Sequence, residues 1–391
     1  MSINIYNEQL EAACAKFRKI LEGQLTRVEN MKAQGDFTDY ASLQTIKIGV
    51  CGGDGIGPTI TAEAQRVLEY ILSDLCKSGK IRFVTIDGLT LENRIACMKA
   101  IPDEVMEQLL ACDIILKGPT TTPQKGQGLP NIESANVAMR KALDLFANIR
   151  PVKVPEEGIN WTIFREKTEG GYAVGSSGFN VTEDLAVDFT VTTRQGSDRI
   201  ARLAYDYARK NGFNRVSLVT KANIIKTTDG NFLEDCHKVA DGYPEITTDE
   251  WYADIMTAKL VDKKRRRDFQ VLLLPNLYGD IISDEAAEFQ GGVGTAGCAN
   301  IGKRHAMFEA IHGSAPRMVN EGRTKYADPC SMLRASVMLL SHIGLQDRAD
   351  RLERALDICS FEEKRLTVTG RDTGASCREF ADYVMETLKK L

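Results

Sequence analysis

The 391-residue sequence lacks several features that would assign it to a protein class at once. Its ten cysteines include no C-x-x-C pair, which argues against a zinc ribbon or a dithiol redox site. No window approaches the roughly 18 consecutive apolar residues of a membrane span. Positive charge is not in excess, and the net charge of −4 argues against a dedicated nucleic-acid binder. The N-terminal segment resembles neither a secretory signal nor a transit peptide, so we expect a cytoplasmic protein with reduced thiols.

Residues 8–33 form the first recognisable element. Apolar side chains recur there at spacings of three and four, which predicts one amphipathic helix. Such a helix can dock on the body of its own subunit. The same spacing also suits a coiled-coil face, so an oligomerisation arm stays open as the alternative.

Strands and helices alternate after a polar linker at 33–42. Short apolar runs such as "TIKIGV", "IRFVTID" and "DIILKG" are separated by helical patterns. This order predicts βαβ units and a largely parallel sheet. The stretch "GGYAVGSSGFNVTEDLAVDFTVTTRQ" has β-type alternation with turn residues, which predicts an antiparallel interruption.

A glycine-rich loop, "VCGGDGIGP", follows the first of these strands. The dinucleotide fingerprint G-x-G-x-x-G would need its third glycine where Pro58 stands, and the Gly-Lys-Ser/Thr ending of a P-loop is absent. By itself the loop therefore indicates only a tight turn from a strand into a helix.

Two aspartates, Asp280 and Asp284, are four residues apart in "PNLYGDIISDEAAE". On a helix they would lie on one face, where adjacent carboxylates need a cation or a shared proton. Hard oxygen ligands suit Mg²⁺ or Mn²⁺, and Asp254 is a possible third ligand. The alternative is a pair of acids favoured by the helix macrodipole.

Arginines accompany small polar residues in two further stretches. "NIESANVAMRKALDLFANIRPVK" contains Ser134, Asn136, Arg140 and Arg150, and "IFREKTEGGY" contains Arg165 and Tyr172. Guanidinium forks match carboxylate geometry, so such a group favours a ligand with several carboxylates. Ordinary surface ion pairs remain the alternative.

Taken together, these motifs resemble one family, the metal-dependent β-decarboxylating dehydrogenases that act on isocitrate, isopropylmalate and homoisocitrate. The matching stretches run in family order from about residue 46 to the end: "GGDGIGP", "KGPTTTP", "SANVAMRKALDLFANIRPV", "REKTEGGY", "VTKANIIKTTDGNF", "NLYGDIISDEAAEFQGGVGTAGCANIG", "EAIHGSAPR" and "DPCSMLRASVMLL". The first 45 residues lie outside the resemblance.

The resemblance implies an α/β architecture of two domains with mixed, mainly parallel sheets, a cofactor site that is not of the Rossmann type, and a catalytic cleft between the domains. The implied segments are an N-terminal helical extension at 1–45, a large domain at 46–145 and 291–391, and a small domain at 146–290. The small domain would carry the dimer interface and the metal and catalytic residues. A homodimer is implied, in which Lys221 and Asp254 reach the partner's site.

The resemblance also implies individual roles. The catalytic residues would be Tyr172 and Lys221, and the metal ligands would be Asp254, Asp280 and Asp284. Substrate carboxylates would be bound by Ser134, Asn136, Arg140, Arg150 and Arg165. NAD or NADP would contact Thr122, Asn223, Glu309, His312, Gly313, Ala315, Arg317, Met318 and Asp328.

The substrate and the cofactor are less closely determined. Ser134 and Asn136 stand where isocitrate enzymes place a polar pair and isopropylmalate enzymes place leucines, so isocitrate is the expected substrate. Glu133 and Lys167 depart from the isocitrate pattern, which keeps homoisocitrate and tartrate- or malate-like acids open. Arg317 could meet a 2′-phosphate, whereas the short C-terminal stretch is NAD-like, so we expect NAD and keep NADP open.

Two interpretations of another class remain. A non-catalytic regulatory subunit would typically have lost metal or catalytic residues, and this chain keeps them. The basic run "KKRRR" at 263–267 could bind phosphates, but its position between a helix and a strand favours a solvated turn. We therefore expect a small-molecule substrate, with neither nucleic acid nor membrane as a partner.

Overall fold

The computed structural model describes residues 6–123, 128–130, 132–174, 177–292 and 295–391, and it confirms the predicted α/β class. Residues 175–176, inside the predicted antiparallel segment, lie outside this range. No helix in the described ranges is both long and apolar enough to cross a membrane. All ten cysteines are free thiols, and seven of them are buried.

The helices alternate with strands through most of the chain. They are α1 (Asn7–Ala33), α2 (Gly57–Ile71), α3 (Ser73–Lys77), α4 (Leu91–Cys97), α5 (Asp103–Leu110), α6 (Ala135–Ala142), α7 (Gly171–Val174), α8 (Arg194–Lys210), α9 (Thr228–Ala240), α10 (Ala253–Val261), α11 (Asn276–Glu288), α12 (Pro316–Asn320), α13 (Cys330–His342), α14 (Gln346–Asp357) and α15 (Cys377–Leu388).

The strands are short and mostly buried. They are β1 (Ile46–Cys51), β2 (Ile81–Thr85), β3 (Ile114–Lys117), β4 (Ala147–Val154), β5 (Ile159–Glu166), β6 (Phe179–Asn180), β7 (Ala186–Val187), β8 (Arg215–Thr220), β9 (Thr247–Tyr252), β10 (Val271–Leu274), β11 (Gly297–Ile301) and β12 (Ala306–Ala310).

The chain divides into two compact units. Unit 1 comprises residues 1–36 and 153–286, and unit 2 comprises residues 37–152 and 287–391. In unit 2 the strands are neighbours in the order β2-β1-β3-β12-β11-β4. The pairs from β2 to β12 are parallel, and β11 is antiparallel to both of its neighbours. The parallel strands read as continuous apolar runs because helices cover both faces of such a sheet.

Unit 1 has its own strand order, β5-β10-β8-β9, and all three of these pairs are parallel. Its core contains the fully buried side chains of Trp161, Phe164 and Tyr205. The predicted antiparallel element is present as the short pair β6 and β7. Helix α8 begins at a capped end, because the Thr193 hydroxyl accepts a hydrogen bond from the Gly196 amide at 3.0 Å.

Helix α1 agrees closely with the predicted helix over 8–33 and belongs to unit 1. The Phe17 ring stacks on Phe189 at 5.0 Å between centroids, and Arg27 donates to Glu169 at 3.2 Å. The helix is therefore docked on its own subunit, as the first of the two alternatives predicts. Much of its apolar stripe nevertheless stays exposed, including Leu21 and Leu25.

Candidate active site

The glycine-rich loop after β1 lies against two distant loops of unit 2. Gly53 and Gly55 have φ of +71° and +63°, a region that favours glycine. A Cβ atom on Gly53 would overlap the carbonyl oxygen of Pro119, and one on Gly55 would overlap that of Ser314. The loop is thus shaped by close backbone packing, which explains the glycines without a phosphate.

A cavity of about 420 Å³ opens beside this loop in unit 2. Ile56 from the end of the glycine loop forms part of its wall. Five of the predicted cofactor residues line it, together with the first residues of the NAD-like C-terminal stretch, which were not predicted as contacts: His312, Gly313, Ala315, Met318 and Asp328, with Val368, Thr369 and Gly370. A largely apolar recess of this kind, with a few polar groups, is typical of a cofactor site.

The polar groups of this cavity are held by local hydrogen bonds. His312 Nε2 lies 2.8 Å from Ser331 Oγ, and Asp328 accepts a hydrogen bond from the Cys330 amide at 2.8 Å. Ala315 has the left-handed φ of +50°, an uncommon conformation for a residue with a Cβ. Strained residues of this kind cluster at ligand sites, so the geometry of Ala315 supports a binding role.

Four predicted cofactor residues are not among those that line the cavity: Thr122, Asn223, Glu309 and Arg317. Arg317 points outward with its side chain 81% exposed, and its Nε donates to Glu321 at 2.7 Å. Thr122 is exposed on the loop that follows β3. The structure therefore gives Arg317 an acidic partner just after the end of α12, a pairing that the sequence did not reveal.

A buried charge network surrounds Glu309 at the end of β12. Its carboxylate accepts hydrogen bonds from Lys117 Nζ at 2.9 Å and from Asn300 Nδ2 at 2.8 Å. Arg140 Nη2 lies 3.5 Å away and forms a weaker ion pair. Lys117 is fully buried, and sequence reasoning missed it. A buried charge needs such partners, so this network is held in one geometry.

The remaining predicted substrate residues of unit 2 lie on β4 and at the start of α6. Arg150 donates through Nε to the Asn148 side-chain oxygen at 2.9 Å. Ser134 is the residue immediately before α6, and Asn136 lies in the first turn. The Thr120 hydroxyl donates to Asn136 Oδ1 at 3.0 Å, which leaves the amide nitrogen of Asn136 as a donor.

Unit 1 brings together three predicted residues at the start of α11. Arg165 forms an ion pair with Asp280, and the Tyr172 hydroxyl donates to the other oxygen of Asp280 at 2.7 Å. The guanidinium also lies over the Tyr172 ring, 5.3 Å from its centroid. Asn276 orients the arginine, because its side-chain oxygen accepts from Arg165 Nε at 2.9 Å.

This cluster affects the acidity of the tyrosine. Burial first, and then the hydrogen bond and negative charge of Asp280, raise the pKa of Tyr172 above its ordinary value. A phenol is protonated at neutral pH even without this shift, so Tyr172 carries a proton that it can donate. Asp284 follows one turn later on α11 and is exposed, so the predicted helix face for the two aspartates is present.

Lys221 and Asp254 form a second pair in unit 1, with Nζ 2.5 Å from the carboxylate. Lys221 directly follows β8, and its amide donates to Asp229 at 2.7 Å. The hydrogen bond from Lys221 is the main effect that lowers the pKa of Asp254. Asn223 is exposed two residues further along. Within the described part of the chain, no three His, Cys, Asp or Glu side chains form a metal-binding group.

The basic run at 263–267 differs from the expected solvated turn. Arg266 is buried and forms an ion pair with Glu157, and its carbonyl oxygen accepts the Trp161 indole hydrogen bond at 2.8 Å. Residues 265–268 form a short 3₁₀ turn. Part of the run is thus structural, because a buried arginine is retained only with partners of this kind.

Comparison with known proteins gives a consistent assignment. Residues 47–384 match the profile of the isocitrate/isopropylmalate dehydrogenase family. The NADP isocitrate dehydrogenase of Rickettsia prowazekii is 39% identical over 79% of this chain and 62% of its own length. The chain therefore spans about 62% of the length of that relative.

Other relatives match over nearly their whole length. The homoisocitrate dehydrogenase of Methanocaldococcus jannaschii is 33% identical over 88% of this chain and 98% of its own. Among solved structures, isocitrate dehydrogenase from Methylococcus capsulatus superposes with a TM-score of 0.75 at 35% identity, over 88% of this chain and all of that one. Helix α1 lies outside the matched family profile.

Proposed function

The chain belongs to the isocitrate/isopropylmalate dehydrogenase family, and from that premise we propose that it oxidatively decarboxylates isocitrate to 2-oxoglutarate and CO₂ with hydride transfer to NAD(P). The observation that carries the proposal is the hydrogen bond from Tyr172 to Asp280 beside Arg165. It joins a protonated phenol, a carboxylate and a carboxylate-binding cation. These are the groups that a decarboxylation followed by protonation requires.

The substrate would be held by its carboxylates. Arg140, Arg150 and Arg165 are the proposed partners, because each carries a fork that matches a carboxylate. The amide nitrogen of Asn136, freed as a donor by Thr120, would meet the third carboxylate together with Ser134. Burying that group among apolar side chains would cost several kcal/mol, so this polar pair favours isocitrate over isopropylmalate.

Two residues would move protons. Lys221 would remove the hydroxyl proton, and its neighbour Asp254 holds Nζ in place at 2.5 Å. Tyr172 would protonate the carbon that has lost CO₂. Like any phenol it carries a proton at neutral pH, and Asp280 fixes the direction of the phenol oxygen. Hydride transfer itself is the chemistry of the nicotinamide.

The aspartates of α11 fit a divalent cation in part. Asp280 and Asp284 supply hard oxygen donors one turn apart, and the described residues of one chain offer no third carboxylate within reach of both. We propose that Asp254 of a second copy completes the set. A bound Mg²⁺ or Mn²⁺ would supply Lewis-acid polarisation of the hydroxyl and the α-carboxylate.

A homodimer with shared sites is the proposed assembly. Large apolar side chains are exposed beside Lys221, Asp254 and Asp280 in unit 1: Ile224, Tyr252, Ile255, Leu277 and Ile281. Exposed apolar side chains next to functional residues favour an association surface there. We propose a cytoplasmic enzyme without nucleic-acid or membrane partners.

NAD is the proposed cofactor in preference to NADP. The ion pair with Glu321 partly neutralises Arg317, and Asp328 adds a negative charge at the cavity. Both features disfavour a 2′-phosphate. In the variant Arg317→Asp we expect the NAD/NADP preference ratio to rise if Arg317 contacts the 2′-phosphate of NADP. A ratio equal to that of the wild type would contradict this role.

The direct test is an initial-rate assay with Mn²⁺ in which isocitrate, homoisocitrate, isopropylmalate and tartrate are each paired with NAD and NADP. Turnover of isocitrate supports the proposal. Turnover of isopropylmalate alone keeps the reaction class and refutes the role of Ser134 and Asn136, whereas homoisocitrate alone would change the chain length of the substrate and keep a third carboxylate for this pair. If the folded, dimeric protein turns over none of them, the proposal fails and the regulatory-subunit alternative is favoured.

The role of Tyr172 has its own test. In Tyr172→Phe we expect a first-turnover burst of reduced nicotinamide followed by a steady rate at least ~100-fold slower, since only protonation is blocked. Tyr70→Phe, a surface tyrosine of unit 2, is the matched control. A uniform loss without a burst would assign Tyr172 to substrate binding instead.

A further inference from the structure

Arg94 is a fully buried arginine on α4 that no motif of the sequence singles out. Its three donor nitrogens each bond a backbone carbonyl: Nε to Ala100 at 2.8 Å, Nη1 to Thr121 at 2.6 Å and Nη2 to Glu133 at 3.0 Å. Burial of a charged guanidinium is unfavourable, and Asp54 is the nearby acid that opposes this effect.

Two of these carbonyls precede predicted site residues directly. A peptide unit is planar, so the oxygen of Glu133 and the amide of Ser134 move as one rigid group. The same holds for the oxygen of Thr121 and the amide of Thr122. By holding both oxygens, Arg94 fixes the peptide planes that lead into one proposed substrate residue and one proposed cofactor residue.

Thr121 is held on every side. Its amide donates to Asp54 at 2.7 Å, and its hydroxyl lies 2.7 Å from Ser314 Oγ in the loop that borders the cavity. Asp54 in turn accepts the Leu91 amide at 2.8 Å, at the start of the helix that carries Arg94. Asp54 in the glycine-rich loop and Arg94 on α4 thus hold the amide and the carbonyl of the same residue.

We propose that Arg94 is a positioning residue that aligns the Ser134 side of the substrate pocket with the cofactor loop, and that it thereby sets the selectivity for an acid with a third carboxylate. The inference deepens the proposed function and rests on it. Only an arginine supplies three donors in one plane, whereas a lysine ammonium in this pocket reaches one carbonyl well.

The test compares Arg94→Lys with the wild type in two measurements. Amide hydrogen exchange should be at least about tenfold faster in peptides covering 119–123 and 132–136 of the variant. The KM for isocitrate should rise about tenfold or more, with a smaller change in kcat. The KM for malate, which lacks the third carboxylate, should change less than about threefold. Arg94→Gln, whose single amide nitrogen carries two N–H groups, is the second variant if Arg94→Lys does not fold.

Arg348→Lys is the matched control. Arg348 lies in the same unit and donates to the Ile71 carbonyl at 2.7 Å, but it also pairs with Asp74 and leads into no proposed site residue. Its substitution should leave exchange at 119–123 and 132–136, and both KM values, unchanged.

Three results would overturn the inference. One is an amide hydrogen-exchange rate in both peptides of Arg94→Lys that equals the rate in the wild type. Another is faster exchange in the variant with an unaltered KM for isocitrate. The third is an equal rise in KM for isocitrate and malate, which would show a general structural defect. If the wild type does not oxidise isocitrate at all, the proposed function fails, and the exchange comparison still decides whether Arg94 holds the two segments.

Discussion

The contact between the glycine-rich loop and Pro119 leads to a stability prediction that three alanine variants can resolve. Gly53 combines two constraints, a left-handed φ of +71° and a site where a Cβ would overlap a carbonyl oxygen. Gly79 has the first constraint alone, with a φ of +78° and no atom within 4 Å of the point where a Cβ would lie. Gly118 has the second alone, against the carbonyl of Gly52.

The expected magnitudes follow from these constraints. A left-handed alanine costs roughly 1–2 kcal/mol, and the lower chain entropy of unfolded alanine offsets roughly 0.4–1 kcal/mol of that. Gly79→Ala should therefore lower the free energy of unfolding by about 0.5–1 kcal/mol. Overpacking costs roughly 1–3 kcal/mol, which applies to Gly118→Ala. Gly53→Ala should lose about 2–4 kcal/mol because both terms act.

The assay is thermal unfolding of the four proteins, followed by circular dichroism. At roughly 2–4 °C per kcal/mol for a domain of this size, Gly53→Ala should melt roughly 5–15 °C below the wild type, and Gly79→Ala should melt within a few degrees of it. The melts are repeated with NAD, which raises the Tm of a protein that binds it. Because Ile56 and the Ser314 loop border the cavity, this rise should shrink in Gly53→Ala.

Two results would refute this reasoning. If Gly53→Ala and Gly79→Ala melt together, the Pro119 contact is not tight, and the glycine is required only for its φ. If Gly118→Ala is as stable as the wild type, the loops after β1 and β3 can separate without loss. A loss of NAD-induced stabilisation in Gly79→Ala would show that the effect on the cofactor is not local to this loop.

Three further predictions concern buried charges and α1. Lys117→Met should lower the free energy of urea unfolding by about 3–5 kcal/mol, because it leaves Glu309 short of a partner. The double variant Lys117→Met with Glu309→Leu should recover part of this loss. No recovery would contradict the pairing. Burial and the charge of Glu169 raise the pKa of Glu166 from 4.5 to about 7. Protonation is thus favoured in the folded state, and stability should fall as pH rises from 4.5 to 7, by at most about 1.4 kcal/mol per pH unit. The free energy of unfolding should fall less between about pH 5 and about pH 7.5 in Glu169→Gln than in the wild type. An equal fall in both proteins would exclude the coupling between Glu166 and Glu169. Arg27→Ala should speed limited proteolysis of α1, because it removes the ion pair with Glu169. Lys32→Ala, which removes only the ion pair with Glu29 inside the helix, should not. Equal proteolysis rates would show that the bond to Glu169 does not hold the helix.

Local sequence patterns predicted much of the fold. The α1 pattern over 8–33 and the apolar run "DIILKG" agree with Asn7–Ala33 and Ile114–Lys117 within a residue or two. The pattern did not predict β5 or α14. In β5, "INWTIFRE", charged residues occupy buried positions, because Arg165 pairs with Asp280 and Glu166 accepts backbone hydrogen bonds. The partner of Arg165 lies in a distant segment, and the amides that donate hydrogen bonds to Glu166 lie beyond the end of the strand. The alternation of apolar and polar residues could therefore not reveal the strand.

The glycine-rich loop also shows that a local sequence pattern does not reveal contacts with distant segments. Its spacing argues against a standard dinucleotide or phosphate loop. What the glycines do depends on Pro119 and Ser314, which are distant in sequence. A local pattern carries the conformational preference of a glycine but not the identity of the backbone that approaches it.

Lys117 could have been found by one further step of reasoning about parallel strands. Ligands of α/β proteins bind beyond the carboxyl ends of such strands. Lys117 ends β3 and is the register partner of Glu309 in β12, which brings the two charges together. In unit 1, Arg165 lies near the end of β5, and Lys221, Asp254 and Asn276 follow β8, β9 and β10 within two residues. The strand-end rule therefore selects Lys117 together with the predicted residues. In addition, a lysine at the end of a fully buried strand needs a fixed anionic partner.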